Sequence, residues 1–479
     1  MSSACQLVWF RNDLRLHDQP ALLAAARGAG MLLPVYVFDP RQFGVTPYGF
    51  PKTGGFRARF LLETVADLRR SLQRLGSDLI VRWGYPEKVL PELVSRYRVT
   101  AVHATREVTS EEVSAEMRVA SAIAQHQAVL RLHWGSTLYA PEDLPFGGPN
   151  GLPEIFTDFR KQVEKRSHLR PPAPAPRTLP GLPPTVLPGR LPELAEMNLE
   201  TPPPTTKGAL PFVGGETQAL QRLNAYFWER DSLRRYKETR NGLIGPDYSS
   251  KFSPWLAVGA ISARQIHAEV KRYERERIAN DSTYWLIFEL IWRDFFRFVA
   301  QKHGTTIFRA GGLRGAPTFG AENRELFTHW ARGETGFPFI DANMIELAST
   351  GWMSNRGRQN VASFLVRDMG VHWRMGAEFF ESLLIDYDPC SNWGNWNYVA
   401  GVGNDPREDR YFHILKQAGQ YDPQGDFVRH WIPALARIPG GRIHEPWRLS
   451  GDELRRYGIE LGTDYPRRRV ELGAGMASR

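Results

Sequence analysis

Cysteine is almost absent. The 479-residue chain has two, Cys5 and Cys390, too few for a disulfide scaffold and in keeping with a reducing compartment. No Cys/His spacing suits a metal, so none is expected. No apolar run reaches the roughly 18 residues of a membrane span. The opening MSSACQLVWF has no charged segment before a long apolar stretch, so the expectation is a cytoplasmic protein without a membrane anchor. The first strand-to-helix turn, RNDLRLHD, lacks Gly-x-Gly-x-x-Gly, which removes the main support for a nicotinamide dehydrogenase. No internal repeat is found.

What is present is a globular composition, 42% hydrophobic and 24% charged, with length for two or three domains. The formal net charge of +9 favours an anionic partner through long-range attraction and counterion release. Residues 1–140 alternate apolar strands (LVWF, MLLPVYVFD, DLIVRWG, TAVHATRE, VLRLHW) with segments of helical period such as FRARFLLETVADLRRSLQRLG. That alternation predicts a doubly wound parallel α/β domain. Twelve of the 35 prolines fall between Arg170 and Pro204. Proline sustains neither a helix interior nor a central strand, so 141–214 reads as an extended inter-domain connector. From 215 to 479 helical patterns take over, among them ALQRLNAYFWERDSLRRYKETR, STYWLIFELIWRDFFRFVAQKH and NVASFLVRDMGVHWRMGAEFFESLLID, which predicts an all-α domain.

Nine of the fourteen tryptophans lie from Trp228 to Trp396, and in the stretch Thr350 to Asp405 they are interleaved with Asn, Arg and Asp. A buried indole needs a partner for its N–H, and Arg and Asp are seldom buried unpaired, so the mixture suits a polar pocket better than an ordinary core. Asn355, Arg358, Asp386 and Asn392 could hydrogen-bond a large planar polar ligand, with the oxidisable indoles of Trp373 and Trp396 at its side.

Five stretches in order resemble the photolyase/cryptochrome flavoproteins, and among them the cryptochrome-DASH branch. They are WFRNDLRLHD, DPRQFG with FPKTGGFRARFLLE, TRNGLIGPDYSSKFSPWLAVGAIS, YWLIFELIWRDFFRF and the Thr350–Asp405 stretch. The resemblance spans nearly the whole chain and implies FAD in the helical domain. It implies that Tyr236, Ser249, Ser250, Lys251 and Ser253 hold its phosphates. The same segment also reads as a capped turn, with Ser253 as N-cap and Pro254 at the first helical position. Trp285 and Asn355 match flavin-pocket residues, Arg358 and Asp386 an ion pair beside the flavin, and Asp388 a position near its ribityl or ribose hydroxyls. Asn392 maps to the position facing flavin N5, where an Asn hydrogen-bonds without readily giving up a proton.

For a substrate, the resemblance implies a cyclobutane pyrimidine dimer in DNA. Glu289 and Trp292, three apart on one helix face, correspond to a carboxyl that hydrogen-bonds the dimer and an indole that stacks on it. Tyr398 and Gln359 stand where duplex-specific photolyases carry Trp and Met. The smaller platform favours single-stranded DNA, because a base drawn from a duplex must first be unstacked at a cost of a few kcal/mol. The implied reaction is light-driven electron transfer from reduced flavin, with Glu289 stabilising the dimer radical anion. Lys52, Glu107 and DPRQFG resemble a methenyltetrahydrofolate antenna region. Trp396 and Trp373 match the proximal and middle members of the family's photoreduction chain, but the distal position, 53 residues before Trp373, holds Gly320. Trp330 is the nearest tryptophan in sequence that could replace it. Two other readings stay open: a blue-light receptor using the same flavin, and a dark flavin oxidoreductase, for which the dimer pocket would be superfluous. A monomer is favoured.

Overall fold

The computed structural model describes residues 5–316, 320–405 and 411–476. Five strands, β1 (Cys5–Phe10), β2 (Met31–Phe38), β3 (Ile80–Trp83), β4 (Val99–Thr105) and β5 (Val129–His133), form one parallel sheet in the order β3-β2-β1-β4-β5. Alternation along β1 divides its side chains between two cores, as a period of two requires. Leu7 and Trp9 pack with Val94, Val119 and Ile123 of the helices Pro86–Tyr97 and Ser110–Ala124. Val8 and Phe10 pack with Ala58 and Leu68 of Gly55–Arg74 in a cluster that continues into the helical half. The expected α/β and helical units are both present, and one face of the sheet shares its core with the helices. The chain leaves β1 toward β2 on one side and places β4 on the other. The crevice beyond the carboxyl ends of β1 and β4 is therefore a topological switch point.

The stretch read as an extended connector contains a helix, Phe156–Arg166, with Phe156, Phe159 and Val163 buried. Its proline-rich remainder holds only short turns such as Leu194–Met197. Proline lacks an N–H but keeps its carbonyl. Pro188 O accordingly accepts from Val81 N at 2.7 Å, so this segment lies along the sheet edge. Two helical expectations are broken by turns that periodicity does not reveal. The run 219–240 becomes the helix Glu216–Asn224, a wider π turn, Ala225–Glu229, and the short helix Tyr236–Thr239, with Asp231 at φ +52° between them. The run 360–386 is divided at Gly370 (φ +61°), after which Trp373–Leu383 starts as a separate helix.

The two halves are joined by buried polar groups. Arg15, 2% exposed, donates to the carbonyls of Asp18, Gly135 and Gly259 at 2.8–2.9 Å. Asp294, on the helix Asp281–His303, accepts from the backbone N–H groups of Leu138 and Tyr139, both at 2.9 Å. Gly259 (φ +67°) lies so close to the loop after β1 that a Cβ there would sit 2.0 Å from Asn12 O. Only glycine fits that contact.

Candidate functional site

Two clefts flank the loop that follows Trp373–Leu383. The first lies within the helical half. Asn355, Arg358 and Gln359 reach it from the helix Asn355–Ser363, Asp386 and Asp388 from the loop, and Asn392, Trp396 and Tyr398 from the helix Pro389–Ala400. Both helix starts are set locally by side-chain caps: Ser354 Oγ accepts from Gly357 N at 2.9 Å, and Asp388 Oδ1 from Ser391 N at 2.7 Å. Trp396 approaches the neighbouring helix because residue 376 is glycine; a Cβ there would lie 2.2 Å from the indole.

Arg358 Nη2 donates to Asp386 Oδ2 at 2.8 Å, and its Nε to Met353 O at 2.9 Å. The Asp386 side chain is 1% exposed and that of Arg358 25%. Asp386 Oδ1 and Gln359 Oε1 are buried without a protein partner. Buried acceptors need donors, so this cleft suits a ligand rich in N–H or O–H groups. Asn392 commits its amide nitrogen to Ala377 O at 3.0 Å, which turns Oδ1 into the atom available to a ligand. Asp388 is held below the usual carboxylate range: burial opposes its charge, but Arg293, Arg297 and the bonds from Ser391 outweigh it.

Tyr398 links this cleft to the helix Asp281–His303, where it meets Trp292 edge to face (6.0 Å, 78°). Glu289 stands one turn earlier and accepts from Arg240 Nη1 at 2.6 Å. Its side chain keeps 30% exposure, yet the apolar surroundings raise its pKa against the opposing charge of Arg240. Trp285 stacks on Phe288 (4.9 Å) under the cations of Lys237 and Arg240. The indole expected to stack on a base differs from expectation in one respect. One face of Trp292 is already covered by Phe156 at 3.5 Å and 11°, so only part of its surface is open to a ligand.

The expected phosphate loop does not line this cleft. Tyr236 and Ser250 are buried, and Arg222 fixes the loop by donating to the carbonyls of Pro246, Ser249 and Ser250 at 2.9–3.0 Å. Ser253 is the first residue of its helix, not the cap; Phe252 occupies the cap position. Lys251 departs furthest from expectation. Its ammonium lies 3.2 Å from the Tyr248 ring centroid and 5.3 Å from that of Trp352, 3% of the residue is exposed, and Nζ has no hydrogen-bond partner. Burial, aided by Arg222, lowers its pKa well below the usual lysine range. An amine held this way packs against the two rings as part of the loop, with the backbone in the left-handed region (φ +56°).

The second cleft opens between the sheet and the helices, at the switch point. Asn12 and Glu107 line it from beyond β1 and β4, Lys52 and Arg57 from the segment before and within Gly55–Arg74, and Glu381, Tyr387, Asp388 and Trp393 from the helical side. Lys52 pairs with Glu111. Glu107 pairs with Arg297, which also reaches Asp388 Oδ2 at 3.5 Å. Tyr387 and Asp388 belong to the walls of both clefts. Arg222, Arg240 and Arg297 escaped sequence reasoning because their partners are distant in sequence. A spacing of four between Arg293 and Arg297, on the helix carrying Glu289, was the available signal.

Among the tryptophans, Trp396 meets Trp330 edge-on (6.5 Å, 74°), and Trp373 meets Trp393 (5.6 Å, 80°). Gly320 has φ +91°, and a Cβ would sit 2.8 Å from the Val371 backbone. The distal position therefore cannot accept a side chain without local rearrangement, and an indole introduced there is no clean probe of the chain.

Comparison with known proteins agrees with this layout. Residues 6–177 match the DNA photolyase family and residues 285–478 the FAD binding domain of DNA photolyase. A cryptochrome DASH of Gloeobacter violaceus is 58% identical over 100% of this chain and 95% of its own length. A crystal structure of a Synechocystis cryptochrome superposes with a TM-score of 0.96 at 50% identity, covering 100% of this chain and 99% of that one. A bacterial class III photolyase from Agrobacterium tumefaciens gives 0.86 at 30% identity, covering 100% and 96%.

Proposed function

Because the chain belongs to the photolyase/cryptochrome family, and within it to the cryptochrome-DASH branch, we propose that it repairs cyclobutane pyrimidine dimers under blue light, preferentially in single-stranded DNA. The observation that carries this reading is the adjacency of the polar cleft to the Glu289/Trp292 helix face through Tyr398. When bound, FAD supplies the light-excited one-electron donor. Arg358, Asp386, Asn392 and Gln359 offer the charges and acceptors that hold a flavin ring system, with Asn355, Trp285 and Asp388 at its margins. The fit rests on the two buried acceptors of Asp386 and Gln359. Tyr236, Ser249, Ser250 and Ser253 do not line this cleft; they are proposed to meet the phosphates where the ligand extends beyond it, with Arg222 shaping their loop.

Each side chain toward the substrate has a definable task. Glu289 hydrogen-bonds a pyrimidine carbonyl as negative charge develops there, and the burial that raises its pKa favours the protonated form able to donate. Arg240 must release or share that carboxyl when the dimer enters. Trp292 and Tyr398 offer a narrow stacking surface, since Phe156 takes one indole face. That surface suits a dimer already free of base stacking, where the few kcal/mol of unstacking need not be supplied. The second cleft, with Lys52, Arg57 and Glu107, is proposed to hold a methenyltetrahydrofolate antenna. No helix among the described residues is long and apolar enough to cross a membrane; a monomer in the cytoplasm is the proposed setting.

The test is a repair assay on reduced, illuminated protein with dimer-containing single-stranded and duplex DNA of one sequence. Faster repair of the single strand is expected. Equal or faster repair of the duplex would remove the strand preference, and no repair of either would replace this reading with light signalling through the same flavin.

A further inference from the structure

A hole left on Trp373 needs a route outward. Position 320 supplies none, being glycine in a backbone that leaves no room for a ring. Trp330 supplies none either. It is fully buried, and its N–H is given to Val361 O at 2.9 Å, a carbonyl too weakly basic to take a proton from an oxidised indole. Trp373, itself 1% exposed, instead touches Trp393 edge to face. Trp393 Nε1 donates to Tyr387 Oη at 3.2 Å. Tyr387 interacts with the carboxyl of Glu381, and both line the inter-domain cleft.

We propose that Trp393 and Tyr387 form the exit by which the hole leaves Trp373 for the inter-domain cleft, a role that rests on the flavin reading of the first cleft. One electron passes from Trp393 to oxidised Trp373. Tyr387 then gives an electron to Trp393, and its phenolic proton goes to the Glu381 carboxylate, leaving a neutral tyrosyl radical. The Arg57 guanidinium lies 4.7 Å over the Tyr387 ring, which disfavours a cationic tyrosine, so proton and electron leave together. A small thiol entering the cleft returns one hydrogen atom to Tyr387, becoming a thiyl radical, and Glu381 releases its proton to water. The rival exit runs through His372, stacked on Trp373 at 6.2 Å, toward Tyr48, whose hydroxyl donates to Glu322 at 2.9 Å. That path has an imidazole in the way, which is harder to oxidise than an indole or a phenol.

The experiment is flash photolysis of the full FAD-loaded chain, read by transient absorption and by EPR before any thiol is added, and a small thiol added afterwards should shorten the life of the tyrosyl radical. In the unsubstituted protein, ring-deuterated tyrosine should narrow the hyperfine pattern of a light-induced radical. Tyr387→Phe should abolish the tyrosyl signal, Trp393→Phe should shorten the life of oxidised Trp373, and Tyr48→Phe should change neither. Absence of any deuterium-sensitive radical in the unsubstituted protein overturns the proposal, and this arm needs no variant to fold. So does a tyrosyl signal lost in Tyr48→Phe but retained in Tyr387→Phe, or an unchanged Trp373 lifetime in a folded, flavin-loaded Trp393→Phe. Failure of the flavin reading would show earlier and separately, as purified protein without flavin absorbance.

Discussion

Removing either partner of the Arg358–Asp386 pair should be costly, but unequally. In Arg358→Ala the stranded group is Asp386, 1% exposed, with one oxygen already lacking a partner. Breaking a buried pair in this way costs about 3–5 kcal/mol, because an uncompensated charge stays in the interior. In Asp386→Ala the stranded group is Arg358, a quarter exposed and still donating through Nε to Met353 O. Water and that carbonyl satisfy part of the guanidinium, so the loss should approach that of one charge-assisted hydrogen bond, about 1.5–3 kcal/mol. Arg358→Lys keeps the charge but gives up the second bond of the planar fork, and should fall between the wild type and Arg358→Ala. Urea unfolding of flavin-stripped protein measures the stability difference, and flavin retained through gel filtration measures the effect on binding. The reasoning is refuted if Asp386→Ala is the more damaging change, or if both alanine variants keep stoichiometric flavin and wild-type stability.

Glu289→Ala should slow repair more than it weakens DNA binding, since its hydrogen bond gains strength as charge develops; equal losses in rate and affinity would contradict this. DNA affinity should fall about 10³-fold or more between about 50 and 200 mM salt if several phosphates are contacted, and a flat titration would exclude that mode. Glu346, buried and facing Lys251 and Arg358, has its pKa pushed up to about 8 from 4.5 by desolvation. The folded chain then binds a proton that the unfolded chain has lost, so the associated stability is complete below about 4.5 and disappears as pH rises through about 8. Urea melts should show wild type losing stability relative to Glu346→Gln across that window, and a constant gap would dismiss the assignment. Asp294→Ala should cost about 2–6 kcal/mol, two buried amides each losing a partner worth about 1–3; a change under about 1 kcal/mol by urea unfolding would mean that water replaces the carboxylate.

Strand periodicity was enough to reveal all five strands, and the proline run marked the place where helix and strand both fail. Interruptions at Asp231 and Gly370 were hidden, because a helical apolar pattern continues across a left-handed residue whose neighbours still face the core. At the candidate site, Arg358, Asp386 and Asn392 were legible by type: polar residues among tryptophans at helical spacing must face something polar. Lys251 was not. Nothing in SSKFS tells whether a lysine points at an anion or folds back under the rings of Tyr248 and Trp352, and the decision is made by Trp352, 101 positions away. Phe156 was equally invisible, since it lies in a segment read as extended and reaches Trp292 only through tertiary packing.

The contact of Gly259 with the loop after β1 bears on inheritance and engineering. With backbone pressed against backbone there, and Arg15 enclosed by carbonyls from both halves, this joint is fitted to its own partner and not to a foreign one. A chimaera that exchanged residues 1–140 for those of a cousin would bring a loop shaped for another seat. Gly259 and Asp294 would have to travel with that unit as a matched set, although more than a hundred residues separate them from it in the gene.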